Sequence, residues 1–143
     1  MRLRYPLFLC LIISVLLYSC SEPLSSYQFE REDKCASEGV YVFHLDMSDS
    51  LAVYDVSIYS SAQKGRVENL ELLARWIAPD GQSFSETVYM KDVERKGSRE
   101  LYRSSMRPGS QSGEWILSLK PSVERGRLSG LGVICTKRDD GTR

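Results

Sequence analysis

Apolar residues fall on every second position through most of this chain, and that period constrains its fold more than any other feature. In residues 40–47, Tyr41, Phe43, Leu45 and Met47 share one parity. In residues 52–60, Ala52, Tyr54, Val56 and Ile58 do the same. Leu70, Leu72, Ala74 and Trp76 form a third set, and Phe84, Val88 and Met90 a fourth. Trp115, Leu117 and Leu119 precede a last set of Leu131, Val133 and Cys135. A period of two places alternate side chains on one face of a strand, so these runs predict half-buried strands. Residues 70–77 also suit a short helix by composition. The turn signal Pro79-Asp80-Gly81-Gln82, flanked by two alternating runs, decides for an antiparallel pair.

Polar stretches separate the runs. Residues 46–50 and 63–69 predict a turn and a loop, and residues 91–113 a charged loop with one short strand or helical turn near Glu100 and Tyr102. At least six strands and no long helix predict an all-β fold with one antiparallel β-sandwich, jelly-roll-like; a partly open barrel is the alternative. No internal repeat or second domain is visible.

The first twenty residues follow a different logic. Arg2 and Arg4 precede an uncharged apolar run over residues 7–17, which ends at Leu17-Tyr18-Ser19-Cys20. A positive start, a short apolar run and a small residue before the cut define an export signal. The run is shorter than the roughly 20 residues a transmembrane helix needs. Its end resembles the bacterial lipobox, in which an aliphatic residue lies three before the cysteine and a small one just before it. The resemblance implies a diacylglyceryl group on the Cys20 thiol and cleavage before Cys20. The predicted organisation is a lipoprotein signal peptide over residues 1–19 and a lipid-anchored tether over residues 20–38. The β-sandwich domain follows over residues 39–137, with a charged tail over residues 138–143. Acyl chains (palmitate among them) on Cys20 place the chain in a cell envelope, the outer membrane before the inner; which face it occupies stays open.

Charge and cysteines bound the rest. The full chain has 19 basic and 19 acidic residues. Loss of Arg2 and Arg4 with the signal leaves 124 residues with 17 basic against 19 acidic, a net of −2. That balance lacks the basic excess of a nucleic-acid binder. Cys10 falls in the signal and Cys20 at the lipid site, so Cys35 and Cys135 remain. In an oxidising compartment these two either pair, a bridge worth about 4 kcal/mol over so long a loop, or stay as two small buried thiols. Two cysteines and the single His44 make no zinc set.

No motif for catalysis or for a cofactor is present. His44 lies near Asp46 on a strand, and an exposed surface histidine is its expected state, so the chain reads as a non-enzyme. Among the aromatics, Trp76 and Trp115 fall on inward parities, while Tyr59 and Tyr89 fall outward and suit contact with a glycan or protein. Residues 91–107 carry Lys91, Arg95, Lys96, Arg99, Arg103 and Arg107 against three acids, a loop that suits an acidic partner or plain solvation. Asp49-Ser50-Leu51 resembles the Asp-Ser/Thr-aliphatic acceptor of bacterial O-glycosylation, with Ser50 as the acceptor.

The order of these features resembles the gliding motility lipoprotein family GldH. The resemblance spans residues 29–137. It rests on the lipobox, Phe29, the Tyr54–Ile58 alternation, residues 70–77 leading into Pro79-Asp80-Gly81, and Thr87-Val88. It continues through Gly113-x-Trp115-x-Leu117 and Leu128-Ser129-Gly130-Leu131. It implies a lipoprotein of a gliding or secretion machinery that works through envelope protein partners and carries no active site. A glycan-binding surface lipoprotein is the alternative reading.

Overall fold

The computed structural model describes residues 25–35, 38–95 and 98–138, with backbone alone for 98–104. The strands are β1 (Ser25–Arg31), β2 (Tyr41–Met47), β3 (Val53–Ala62), β4 (Arg66–Val67) and β5 (Leu70–Ile77). They continue with β6 (Ser83–Met90), β7 (Val93–Glu94), β8 (Ser98–Met106), β9 (Gly113–Pro121) and β10 (Leu128–Arg138). Sheet A has the order β1-β10-β3-β8 and sheet B the order β2-β9-β5-β6; β4 and β7 form a two-stranded ribbon. All pairings are antiparallel.

The pairing follows from one long hairpin. Its tip is the β5–β6 turn. Back along both arms, β3 meets β8, β2 meets β9 and β1 meets β10. Rolling that hairpin lays alternate strand pairs into opposite sheets, which is the jelly-roll sandwich. The tip has the chemistry its sequence demands. Gly81 takes φ +87°, and its N–H donates to the Ala78 carbonyl at 2.9 Å. The Asp80 carboxylate accepts from the Gln82 N–H at 2.9 Å.

The alternating residues meet between the sheets. Tyr41, Phe43, Leu45 and Met47 of β2 are buried, as are Leu70, Leu72, Ala74 and Trp76 of β5. Residues 70–77 therefore form a strand, as the turn after them predicts. Sheet A answers with Tyr54, Val56, Ile58, Leu131, Val133 and Cys135. Removing such surface from water at about 25 cal/mol per Å² is what holds the layers together. Trp76 and Trp115 lie in this core, and each indole N–H finds an acceptor. Trp76 Nε1 donates to Glu86 Oε1 at 2.8 Å, and Trp115 Nε1 to the Gln111 carbonyl at 2.9 Å.

Three segments differ from the sequence expectation. The expected tether contains β1, a full strand paired with β10 from Ser25↔Thr136 to Arg31↔Gly130. The short strand or helical turn expected near Glu100 and Tyr102 is the nine-residue strand β8, which pairs with β3 and completes sheet A. The loop over residues 63–69 contains β4, whose Val67 is buried opposite Val93 of β7.

Candidate interaction surfaces

The outer face of sheet A carries rings over glycine. Its described side chains are Ser25, Tyr27, Phe29 and Arg31 on β1, Ile134 and Thr136 on β10, and Ser57, Tyr59 and Ser61 on β3. Gly130 and Gly132 of β10 lie between them. A Cβ on Gly132 would approach the Tyr59 ring to 2.1 Å, and one on Gly130 would meet the Phe29 ring at 2.7 Å. The two rings thus rest on bare backbone, an arrangement that restores the surface a glycine gives up in a strand. Phe29 and Tyr59 stack with centroids 5.9 Å apart and planes 19° apart. The Tyr59 hydroxyl donates to the Gln28 carbonyl at 3.4 Å, and burial raises its phenol above the ordinary range. Tyr27, one rung away, stays 68% exposed. Asp55 lies on the same face but is buried, accepting from Ser105 Oγ at 2.6 Å and Arg138 Nε at 3.2 Å.

The outer face of sheet B mixes charged and polar side chains with exposed apolar ones, Val42 and Leu73 among them. It carries His44 and Asp46 on β2, Glu114, Ser118 and Lys120 on β9, Glu71, Leu73 and Arg75 on β5, and Thr87 and Tyr89 on β6. Tyr89 is 69% exposed, directly across from Glu71. His44 Nδ1 lies 3.1 Å from Glu114 Oε1, and both side chains face solvent. His44 is therefore half of a surface pair.

The two sheets are joined along one open side by a side chain. Gln28 of β1 points toward sheet B and occupies the free edge of β2. Its Nε2 donates to the His44 carbonyl at 2.5 Å, and the His44 N–H donates to its Oε1 at 3.3 Å. One amide thus stands in for a neighbouring strand and blunts an edge that would otherwise offer unpaired backbone.

Cys35 and Cys135 are free thiols, with no bridge between them. They lie at opposite ends of the sandwich. Cys35 follows β1, donates to the Glu32 carbonyl at 2.9 Å and lies 3.8 Å from Arg125 Nη2. It lines a cavity of about 240 Å³ with Glu32, Tyr41, Arg125 and Leu128. Burial first, then Cys35 and Glu32, raises the Tyr41 phenol well above its usual range. Cys135 pairs with Ser26 and Val56. It stands seven residues beyond Leu128 on β10, about 23 Å at the rise of a strand. A disulfide needs Cα atoms within roughly 7 Å. Burial, with Asp46 and Asp55 nearby, pushes the Cys135 thiol up to about 11.

Ser50 occupies an exposed turn beside Leu51, which is 81% exposed. Asp49 shapes that turn, accepting from the Leu51 N–H at 3.0 Å and pairing with Lys137 Nζ at 2.9 Å. These contacts hold the Asp49 carboxyl below its ordinary value, the lysine being the main cause. Cys20 lies outside the described residues, as do Lys96 and the side chains of Arg99, Tyr102 and Arg103. Lys91 and Arg95 are exposed, whereas Val93 between them is buried. The structure thus gathers none of the candidates into one pocket. Tyr59 and Tyr89 are on opposite outer faces, and Ser50 is in a turn at one end. Sequence reasoning missed Tyr27, although it alternates with Phe29; their parity points outward, the reverse of the main apolar sets of β2, β5 and β9.

Among the described residues, no three His, Cys, Asp or Glu side chains gather as metal ligands, and no helix is long and apolar enough to cross a membrane. No protein-family model matches the chain, and no curated protein does.

Proposed function

We propose that this protein is a lipid-anchored component of a bacterial envelope assembly, held by acyl chains on Cys20 and acting by binding partners rather than by catalysis. The outer membrane is its proposed site. The position of β1 carries the reading. β1 begins five residues after Cys20 and is one of the four strands of sheet A. Five residue steps span at most about 18 Å. A lipid on Cys20 therefore holds the sandwich close to the bilayer instead of on a long leash. Several acyl chains, at about 0.8 kcal/mol per buried methylene, make such an anchor persistent. Membership of the GldH gliding lipoproteins is part of the proposal and rests on the order of the sequence motifs. Envelope proteins of a gliding or secretion machinery are then the partners.

The test is crosslinking in living cells, with mass spectrometry of the captured species, on the natural chain and on Cys20→Ala. Envelope proteins captured by the natural chain and lost with Cys20→Ala support the reading. Equal capture by both chains counts against the anchor.

Tyr89 favours a second reading, a glycan-binding lipoprotein. It is the most exposed ring on sheet B and has Glu71 across from it and Thr87 beside it to hydrogen-bond sugar hydroxyls. Calorimetric titration with cell-surface oligosaccharides checks this. Heat that disappears in Tyr89→Ala supports it, and no heat with any sugar removes it.

A further inference from the structure

We infer that the outer face of sheet A lies on the bilayer surface that holds the Cys20 acyl chains, with Tyr27, Phe29 and Ile134 at the level of the headgroups; this rests on the anchor proposed above. Three observations converge. The first is reach. Only residues 21–24 separate Cys20 from β1. Tyr27 stands seven steps from Cys20, about 24 Å of fully extended chain. Ser25, where the chain enters the sheet, has its side chain on this outer face, hydrogen-bonded to Thr136 at 3.0 Å. Cys20 is therefore within reach of the face that carries the rings.

The second observation is chemical. Membrane interfaces favour amphipathic rings, with an apolar body in the lipid and a hydroxyl among the headgroups. Tyr27, Phe29, Tyr59 and Ile134 lie together across β1, β10 and β3, with Ser25, Ser57, Ser61 and Thr136 around them. Phe29 and Tyr59 are fixed on glycine backbone, so the surface is formed before it meets lipid.

The third observation is charge. Among the described side chains of this face on β1, β10 and β3, Asp55 is the sole carboxylate, and it is 4% exposed and paired with Arg138. Arg31 is exposed at the end of the β1 row. Sheet B presents three carboxylates, Asp46, Glu71 and Glu114, beside Arg75, Lys120 and His44. The first face therefore offers an anionic bilayer fewer carboxylates than the second. Docking by sheet A turns Tyr89 and the outer face of sheet B toward partners.

The experiment uses the acylated protein in vesicles of phosphatidylethanolamine and phosphatidylglycerol, with and without lipid brominated near the headgroup end of its chains. Tyr27→Trp and Tyr89→Trp each add one indole to the buried pair of Trp76 and Trp115. The emission added by Tyr27→Trp is expected to shift to the blue and to be largely lost in brominated lipid, while that added by Tyr89→Trp is unchanged. Full retention of the Tyr27→Trp emission in acylated, vesicle-bound protein overturns the docking face and leaves the anchor standing. Loss of the Tyr89→Trp emission instead means that sheet B faces the lipid, and overturns it too. If the intact mass shows no acyl chain on Cys20, the anchor and the docking face fall together.

Discussion

The outer faces of the two sheets share one sandwich and one antiparallel geometry, yet they hold their rings differently. On sheet A, Tyr59 and Phe29 lie down on Gly132 and Gly130 and stack on each other. On sheet B, Tyr89 stands 69% exposed beside Thr87 and Glu71. The described outer side chains of β1, β10 and β3 include one carboxylate, Asp55, buried and paired with Arg138, whereas sheet B has three facing solvent. Glycine in a central strand costs backbone entropy and packing. Keeping two of them in β10 makes sense where a flat aromatic surface is the return. The first face is a platform of rings built on glycine; the second is a solvated sheet where Val42, Leu73 and Tyr89 stand exposed among charges.

Substitutions that fill the glycine seats break this contrast most severely. Gly130→Ala places a methyl group 2.3 Å from the Glu30 carbonyl oxygen, which is backbone and cannot turn aside. A loss of about 3 kcal/mol, the upper part of the overpacking range, is expected in urea denaturation. Gly132→Ala meets only the Tyr59 ring. It should cost about 1–3 kcal/mol, and Tyr59→Ala in the same chain should recover part of that loss because the two sites are coupled. Independent, additive costs for the Gly132 and Tyr59 changes would contradict the seat.

The interior beneath sheet A titrates. The Cys135 thiol ionises near 9.0 when exposed and is pushed up to about 11 by burial in the fold. Below about pH 9 neither state ionises, so the thiol leaves stability unchanged. Above it the unfolded chain releases the proton first, and stability falls until about pH 11; Tyr41, also raised, acts in the same direction. Denaturation midpoints between pH 8 and 11 check the slope, and Cys135→Ala should flatten it.

Where the sheets meet along β1 and β2, Gln28→Val removes the amide that pairs with the His44 backbone. A cost of about 1–2 kcal/mol is expected, with faster hydrogen exchange at the His44 amide. On the face of sheet B the effects should be smallest. Ser118→Ala and Tyr89→Ala should each shift stability by less than about 0.5 kcal/mol, since neither removes a buried contact. A larger shift would mean that sheet B is as built as sheet A.

The core of this fold was legible because every inward position of β2, β5 and β9 from Tyr41 to Met47, Leu70 to Trp76 and Trp115 to Leu119 is apolar, while the outward ones are mostly polar. The hairpin tip was legible because Pro79, Asp80 and Gly81 carry turn chemistry that does not depend on the rest of the fold. β1 was hidden for the opposite reason. Its apolar residues, Tyr27 and Phe29, point outward, and its inward parity is Ser26, Gln28 and Glu30. Read alone, that is a polar tether; the strand forms because β10 offers it a ladder and β2 offers Gln28 a backbone to hold. β8 was legible only as a short strand or helical turn among charges, since its pairing with β3 is a long-range property. Tyr59 read as free because parity reports direction, while the bare Gly132 beside it, which lets the ring lie down, is 73 residues away in the chain. Cys35 and Cys135 looked like neighbours because they bracket the domain in sequence; β10 runs its length between their positions.

The most direct measurement is the intact mass of the protein purified from the envelope, with fragmentation of its N-terminus. A chain that begins at Cys20 and carries diacylglyceryl on that residue is the predicted result. A mature chain that begins elsewhere, or a Cys20 without lipid, contradicts an anchored sandwich and removes the reason for placing sheet A on a membrane.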